Sequence, residues 1–358
     1  YDINSALVKK EKTVLENKID FVYQNKDFFF GLTPSAYEDT SKLGNLRHEY
    51  ILPLTIEKNI MNSEKYGFLD VGSNLKLRSY ETNKQTNLLV NDIKWNTKKW
   101  LNSMGIESYF ESLTKNVNYK AKKTNDFKND QDNFEINSVL GYFARFALYK
   151  EDFNNKKFHS FTPKFLLRYA PGHMRSIETG RLDYKNVFNL NKLNQIDVVE
   201  PGLSSTVGFE YKKNKLNSSN IIGNEEFSFS VGQVISAKEN IDLPSASSLD
   251  QRFSDIVGEA RYNINDNVNL NYNFSLDQSY KNFNYNETGV GLTFDKVKFN
   301  LSYLQERNHI GNQEFAQAGF DLKLNNSSEL SFNSKRNFLT DSAEFYNLSY
   351  NYINDCLK

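Results

Sequence analysis

The chain has 358 residues, and its 44 Lys and Arg residues balance 44 Asp and Glu residues, so the net charge is zero. A protein that binds nucleic acid by neutralising phosphates needs a basic excess, so we expect no nucleic-acid partner. The mean hydropathy is −0.65, and no run approaches about eighteen apolar residues, which excludes a bundle of membrane helices. An aromatic content of 14% excludes a disordered chain. A large soluble β protein and a membrane β-barrel remain.

The first half of the sequence predicts β-strands separated by polar connections. We place these strands near 14–23, 46–56, 67–80, 85–96, 133–149 and 158–170. Some are longer than the roughly 9–11 residues that cross a tilted path through a bilayer, so we expect strands that extend beyond the membrane. Further along, 213–224 and 236–253 both have the composition of long connections. Successive connections of an antiparallel sheet lie at opposite ends of the strands. Two consecutive long connections therefore mean either that each end has one or that a strand between them has been missed.

An alternation with a period of two dominates the second half. Leu270, Tyr272 and Phe274 alternate with Asn residues, and this period places the apolar side chains on one face of a sheet and the polar side chains on the other. We place strands near 254–264, 268–276, 288–294, 297–303, 317–324, 328–338 and 343–352. The pattern predicts an antiparallel β protein.

The connections between these strands alternate in length. Short turns at 265–267, 295–296 and 325–327 alternate with longer polar loops at 277–287 and 304–316 and with a shorter one around 339–342. Outer-membrane barrels have short periplasmic turns and longer extracellular loops, whereas a soluble sandwich has no reason to separate the two lengths. The connection lengths therefore favour a barrel that crosses the outer membrane of a Gram-negative bacterium.

The expected fold class is all-β, an antiparallel transmembrane β-barrel, with residues 1–358 forming part of one barrel domain. At this spacing the chain holds about sixteen strands, a number too large for side chains to fill the interior of the barrel. We therefore expect apolar side chains to face lipid and polar side chains to face a hydrated lumen.

The residues that could carry chemistry are few and scattered. The four histidines, His48, His159, His173 and His309, lie far apart in sequence, and Cys356 is the only cysteine. A hydrolase site needs a nucleophile, a base and an orienting group within hydrogen-bond reach, and no such set is evident. We therefore expect no enzyme activity, no catalytic residue, no cofactor and no metal site.

Several segments resemble the LptD family, the lipopolysaccharide-assembly proteins of the outer membrane. The resemblance is carried by Phe161–Gly172 (FTPKFLLRYAPG), by Asp183, Tyr184 and Phe188, by Phe229–Gln233 (FSVGQ), by Phe253–Gly258 (FSDIVG) and by Asn354–Cys356 (NDC). It is best over about 160–358 and weaker before it. The order and spacing of the segments, more than any single one, make the resemblance specific.

The resemblance implies a barrel of about 26 strands, of which this chain is expected to be an incomplete fragment that lacks an N-terminal periplasmic domain, the first strands and about the last two. It implies an LptE-like lipoprotein plug in the lumen and a periplasmic bridge protein that contacts the missing domain. The function implied is insertion of lipopolysaccharide into the outer leaflet through a lateral opening of the barrel, and outer-membrane lipid is a further expected partner.

Cys356 is the single residue for which we expect a specific covalent role. Strand parity places 353–358 at the periplasmic end of the barrel, in a compartment where disulfides persist. The resemblance implies that Cys356 forms a disulfide with a cysteine outside this chain, whereas an unreactive lone thiol is the alternative. This sequence has Cys356 followed by Leu357, where some family members carry two adjacent cysteines.

Two other functions stay open at this point. The first is a general porin or a ligand-uptake barrel, and the second is an outer-membrane hydrolase with a site at the barrel wall. A porin usually has a constriction loop that folds into the lumen and carries charge clusters, and no segment of the sequence identifies itself as such a loop.

Overall fold

The computed structural model describes residues 14–124, 127–217 and 221–352. Within these ranges the regular structure is β-strand, apart from two short 3₁₀ turns at Gly44–Arg47 and Ser245–Ser247. Among the same residues no helix is long and apolar enough to cross a bilayer.

The strands follow one another along the chain with few interruptions. The first ten are β1 Val14–Lys18, β2 Phe21–Gln24, β3 Phe28–Leu32, β4 Ser35–Asp39, β5 His48–Ser63, β6 Gly67–Tyr80, β7 Lys84–Asn96, β8 Trp100–Leu101, β9 Ile106–Lys122 and β10 Asp132–Phe146. The next six are β11 Leu148–Asp152, β12 Lys157–Ala170, β13 Gly202–Leu216, β14 Ile222–Ser236, β15 Ile256–Asn265 and β16 Val268–Leu276. The last five are β17 Phe283–Thr293, β18 Val297–Glu306, β19 Gln313–Asn325, β20 Ser328–Asn337 and β21 Ser342–Tyr352.

In the described part of the chain the strand pairs are antiparallel, and they join strands that are next to or near each other in the sequence. From β12 to β21 each strand pairs with the next. Some long strands are interrupted: β3 and β4 both pair with β5, and β10 and β11 both pair with β12. Among the described residues no pairing joins β1 or β2 to β21. The prediction of an all-β antiparallel sheet is confirmed.

Agreement with the predicted strands is close in the second half and partial in the first. The ends of β15 to β21 agree with the prediction to within a few residues, apart from β17 and β19, which begin earlier. In the first half, the predicted set omitted β3, β4, β8 and β9. The expectation that 213–224 is a long connection was wrong, because β13 continues to Leu216 and only 217–221 separates it from β14.

With that correction the two ends of the sheet have different connections. The short-turn side carries 25–27, 64–66, 97–105, 153–156, 217–221, 266–267, 294–296 and 326–327. The long-loop side carries 40–47, 81–83, 123–131, 171–201, 237–255, 277–282, 307–312 and 338–341. The two longest connections, 171–201 and 237–255, both lie on the long-loop side, and the longest connection on the short-turn side is 97–105.

The outer face of the sheet, as we name the face opposite the one that 171–201 covers, carries a continuous aromatic row. The row consists of Phe161, Phe209, Phe229, Phe274 and Phe283, with ring centroids between 5.2 and 6.3 Å apart. It crosses β15 at Gly258, where an added β-carbon would lie 2.5 Å from the Phe274 ring. Closely spaced rings that no other element covers form an apolar surface of the kind that meets lipid.

The faces of β16 give a direct test of this orientation. Phe274 belongs to the aromatic row, and Leu270 shares its face because the two are four residues apart on one strand. Asn273 lies on the opposite, inner face, where its Nδ2 donates to Glu287 Oε2 at 2.8 Å. Asn271 shares that inner face.

We predict that Leu270→Arg lowers the free energy of unfolding by about 2–4 kcal/mol, whereas Asn271→Arg has almost no effect. The physical reason is that a charged side chain at position 270 must enter hydrocarbon, whereas one at position 271 enters the lumen. Denaturant titration of the membrane-inserted protein measures both variants. Equal sensitivity at the two positions would contradict the assignment of the faces.

Candidate functional site

The connection from β12 to β13, residues 171–201, folds back onto the inner face of the sheet, and we call it the inner segment. Its buried apolar side chains are Met174, Ile177, Leu182, Val187, Leu190, Leu193, Val198 and Val199. They form one hydrophobic cluster with side chains of the strands, among them Val90, Leu113, Val117, Val139, Leu166 and Val234. The sequence had not identified this segment as one that folds into the interior.

Glycines on the inner face provide the room for this packing. A β-carbon at Gly141 would lie 2.4 Å from Leu190 Cδ2, and one at Gly232 would lie 3.0 Å from Val187 Cγ1. Gly232 pairs directly with Gly208 of β13, so two neighbouring strands are without side chains at this point. The backbone of the inner segment can approach the sheet closely only because these side chains are absent.

A buried ion pair anchors the inner segment to β12. The side chains of Arg168 and Glu200 are 3% and 4% exposed, and Arg168 Nη2 lies 3.1 Å from Glu200 Oε2. Arg168 Nε donates to the Leu190 carbonyl at 2.6 Å, and the Leu193 amide donates to Glu200 Oε1 at 2.6 Å. Both charges therefore have hydrogen-bond partners in addition to each other, which is the condition for burying an ion pair without a large penalty.

Lys192 is a second buried cation, and it lies within the inner segment. Its Nζ donates to the carbonyls of Val187 and Asn189 at 3.0 and 3.1 Å. Burial, together with repulsion from Arg168, lowers the pKa of Lys192 to about 7. The lysine thus closes a turn of the inner segment with backbone hydrogen bonds.

Ion pairs at the edges of the inner segment connect it to other strands. Arg175 binds Glu135 of β10 at 2.9 Å and also pairs with Asp197 within the segment. Lys115 of β9 binds Asp92 at 2.7 Å and donates to the Ile196 carbonyl at 2.6 Å. The segment is held from several directions and has the contacts of a folded part of the interior.

A cavity of about 620 Å³ lies between the inner segment and the sheet. The strands contribute Asn74, Asp92, Lys94, Glu111, Lys115, Arg145 and Lys164, the 97–105 connection contributes Lys99, and the segment contributes Asn189, Asn191, Asn194 and Gln195. The wall also contains the stacked rings of Tyr109 and Phe143, 4.7 Å apart. Amide side chains both donate and accept hydrogen bonds, and Lys and Arg bind phosphate. The cavity is therefore suited to a ligand rich in hydroxyl and phosphate groups.

The expectation of a uniformly polar lumen needs a correction beneath the inner segment. On β9 the inner face carries the buried Leu113 and Val117, whereas Thr114 and Asn116 lie on the outer face. The apolar side chains face inward here because the inner segment covers them and removes them from water. β9 therefore has the period of two of a strand, but its apolar face is the inner one.

A polar junction joins connections on the long-loop side at the buried carboxylate of Asp255. Its Oδ2 accepts hydrogen bonds from Ser275 Oγ at 2.7 Å, Asn284 Nδ2 at 2.9 Å and His309 Nε2 at 3.1 Å. The hydrogen bond to Asp255 raises the pKa of His309 above its ordinary value, against the effect of burial, and Asp250 and Asp277 act in the same direction. The three donors come from β16, β17 and the 307–312 connection, so this junction fixes their relative positions.

The structure keeps the other predicted site residues apart. His159 Nδ1 lies 2.8 Å from the Tyr211 hydroxyl, His48 stacks near Tyr50, and His173 belongs to the inner segment. In the described part of the chain no group of three or more His, Cys, Asp and Glu residues is placed to hold a metal ion. Cys356 lies outside the described residues.

These features define the class of the protein. It is an antiparallel β-sheet protein with an apolar outer face, a folded inner segment, mostly short turns at one end of the sheet and the longest connections at the other, as in outer-membrane barrels. The family described as LPS transport system D, LptD, matches residues 2–330. The chain therefore belongs to the LptD family, the resemblance found in the sequence is confirmed, and the protein is located in the outer membrane.

Two further comparisons add little. Among solved structures, the siderophore receptor PirA from Acinetobacter baumannii is similar with a TM-score of 0.38 and 8% identity over 90% of this chain. The match covers 64% of that receptor, so the chain spans less than two thirds of its length. The comparison with curated proteins found no match.

The segments that carry the family resemblance meet around the inner segment. Phe161–Gly172 includes Arg168, and Phe229–Gln233 includes Gly232. Phe253–Gly258 includes Asp255 at the polar junction. Three separate stretches of sequence therefore supply Arg168, which anchors the inner segment, Gly232, which leaves space for it, and Asp255 of the neighbouring polar junction.

We predict that Arg168→Met destabilises the packed inner segment by about 3–5 kcal/mol, because Glu200 is left as a buried charge without its partner. Limited proteolysis of the membrane-inserted protein should then cut within 171–201. Arg145→Met is the matched control, since Arg145 is about half exposed in its 2.8 Å pair with Glu107 and its loss should cost at most about 1 kcal/mol. The double variant Arg168→Met, Glu200→Gln should recover much of the protection, and unchanged proteolysis in Arg168→Met would contradict the anchor.

We predict that the contribution of His309 depends on pH. Because the folded pKa is raised, this stabilisation is fully present below the unfolded value of about 6.5 and is lost as the pH rises through the folded pKa. Thermal unfolding compares the protein with His309→Gln, which keeps a hydrogen-bond donor without titrating, and the difference should shrink by about 1–2 kcal/mol as the pH rises. A difference that is the same at every pH would show that the charge on His309 contributes nothing.

Proposed function

We propose that this protein assembles lipopolysaccharide in the outer membrane and inserts it into the outer leaflet through a lateral opening of the barrel, without covalent chemistry. The LptD family is a component of lipopolysaccharide transport, which supports the general function. The lateral opening and the absence of enzyme activity are parts of the proposal.

The observation that carries the proposal is the separation of chemistry between the two faces of the wall. Lipopolysaccharide has acyl chains and a sugar part rich in hydroxyl and phosphate groups. The outer face offers an aromatic, apolar surface, and the inner face offers the amide and basic groups of the cavity. Lipopolysaccharide therefore fits with its acyl chains against the outer face and its sugar part against the inner face. A lateral opening of the wall lets the molecule keep both contacts while it moves to the outer leaflet.

The assembly around the chain is also proposed from the family resemblance. The described strands form one continuous sheet, which supports 1–358 as part of a single barrel domain. We propose that an LptE-like lipoprotein occupies the lumen beside the inner segment, and that a periplasmic bridge protein delivers lipopolysaccharide from the short-turn side. The opening is proposed to lie where the first and last strands of the complete barrel meet.

Photo-crosslinking to lipopolysaccharide tests the proposal. Benzoylphenylalanine replaces Asn194, an exposed residue at the cavity, or Asn326, an exposed residue of a short turn and the matched control. We expect lipopolysaccharide adducts at 194 that require an energised transport pathway, and none at 326. Sugar flux through vesicles that hold the protein, without any adduct at 194, would instead favour a porin or uptake barrel.

We further propose that Cys356 forms a disulfide with a cysteine of an N-terminal periplasmic domain. Its support is the family resemblance together with β21, which ends at Tyr352 on the short-turn side. This disulfide would close a loop of several hundred residues between the N-terminal domain and Cys356. In the entropic description, constraining the unfolded chain in this way stabilises the folded protein by roughly 4–5 kcal/mol.

Cys356→Ser should abolish a reduction-sensitive shift of the complete protein in non-reducing electrophoresis. Free labelling of Cys356 in intact cells by a thiol reagent that does not cross membranes would contradict both the disulfide and the strand parity.

A further inference from the structure

The outer face of β9 is polar, although it belongs to a wall that elsewhere meets lipid with apolar side chains. Its outer positions hold Ser112, Thr114, Asn116 and Asn118. The same face of β12 holds Phe161, Phe165 and Leu167. The inner segment explains why the inner face of β9 is apolar, but it does not contact the outer face. The polar side chains there need a separate explanation.

These side chains are part of a hydrogen-bonded ladder that crosses four strands of the outer face. Ser73 Oγ of β6 donates to Asn91 Oδ1 of β7 at 2.8 Å, and Asn91 Nδ2 donates to Asn116 Oδ1 of β9 at 3.1 Å. Asn118 Nδ2 also donates to Asn116 Oδ1, at 2.8 Å. The hydroxyls of Thr114 and of Ser138 on β10 are 2.9 Å apart. We call these six residues the polar stripe.

The polar stripe lies at the depth of the hydrocarbon layer. Ser73, Asn91, Thr114 and Ser138 are each within one residue of the midpoint of their strand. Toward the short-turn side, Trp95 and Tyr142 are four residues from Asn91 and Ser138 and mark the aromatic boundary of the membrane. Toward the long-loop side, the exposed ion pair of Lys120 and Asp132 marks the start of the aqueous phase.

The stripe does not satisfy its own hydrogen-bonding groups. An amide side chain has two N–H donors and an oxygen that accepts two hydrogen bonds. Within the described part of the chain, Asn91 and Asn118 each donate a single side-chain hydrogen bond, and Asn118 Oδ1 accepts none. Acyl chains offer neither donors nor acceptors, so a polar group left against them carries an energetic penalty.

The depth and the chemistry of the stripe together determine what can cover it. The polar groups of a lipid lie at the membrane surface, so a cover at this depth is a membrane-spanning polypeptide. The stripe carries no charge, and its amides and hydroxyls both donate and accept, so it is complementary to a second copy of itself. A two-fold axis normal to the membrane would bring two such stripes face to face.

The size of the surface is compatible with a contact between copies. The stripe and the adjacent β5 span five strands, about 4.8 Å apart, and the lipid-facing band is about 25 Å tall, which gives roughly 600 Å² on each copy. The sum for two copies, about 1,200 Å², reaches the lower end of specific interfaces.

We propose that the polar stripe is the contact between two copies of this chain in the outer membrane, with β9 of one copy against β9 of the other. Asn91, Asn116 and Asn118 complete their hydrogen bonds across the two-fold axis. The proposal concerns assembly in the membrane and does not depend on the transport function.

Photo-crosslinking of the complete protein in its native membrane tests the contact, with two differently tagged forms produced together. Benzoylphenylalanine replaces Leu140, which is 47% exposed beside Ser138, and leaves the stripe intact. The matched control is Leu301, which is 53% exposed near the midpoint of β18 on the same face of the sheet. We expect adducts that contain both tags at 140, in about tenfold excess over 301.

A second comparison tests the stripe itself. With the probe at 140, Asn116→Leu should lower the yield of two-tag adducts by about tenfold, because it removes hydrogen bonds at the axis. Asn286→Leu should leave the yield unchanged, since Asn286 lies on the outer face of β17, outside the stripe, where it accepts from the Tyr272 hydroxyl. Heat-modifiable electrophoretic mobility shows that each variant is folded.

Adducts at 140 to lipid alone, or to a different polypeptide, would overturn the proposal. Equal yields of two-tag adducts at 140 and 301 would overturn it as well, because they would show collisions without a specific surface. The comparison between 140 and 301 is made with the stripe intact, so it is decisive even where Asn116→Leu lowers the amount of folded protein.

Discussion

Every backbone N–H and C=O group that enters a bilayer needs a hydrogen-bond partner within the protein, and this constraint governs the whole chain. Antiparallel pairing of neighbouring strands meets it and sorts successive side chains onto two faces. One face carries the aromatic row that includes Phe229 and Phe274, and the other carries the interior. The separation between an apolar wall and a polar cavity, on which the proposed transport depends, is therefore a direct consequence of backbone pairing.

The interior has its own fold, which depends on few residues. Arg168 and Glu200 bury opposite charges where strand and segment meet, and Gly141 and Gly232 leave the space for the segment to approach. A buried ion pair adds little net stability compared with apolar residues of similar size, but removing one partner costs much. We therefore infer that Arg168 determines where the inner segment lies more than how stable the barrel is.

The sequence predicted most of the wall and little of the interior. A period of two identified β16 and its neighbours because one of their faces meets lipid and the other meets water. The prediction omitted β9, which has the same period, and the pattern could not show that its Leu113 and Val117 face inward beneath another segment. The apolar residues of 171–201 have no regular period, and the partner of Arg168 lies 32 residues further along the chain. No local pattern could have paired them, although the family resemblance had already drawn attention to Phe161–Gly172.

Amide hydrogen exchange of the membrane-inserted protein tests most directly whether the inner segment is a folded part of the interior. If Arg168 and the glycines hold it as described, amides between Val187 and Glu200 will exchange as slowly as those of β12. The exposed turn 64–66 should exchange much faster and provides the internal reference. Exchange of 187–200 at the rate of 64–66 would contradict a packed inner segment and, with it, the cavity from which the proposed function is argued.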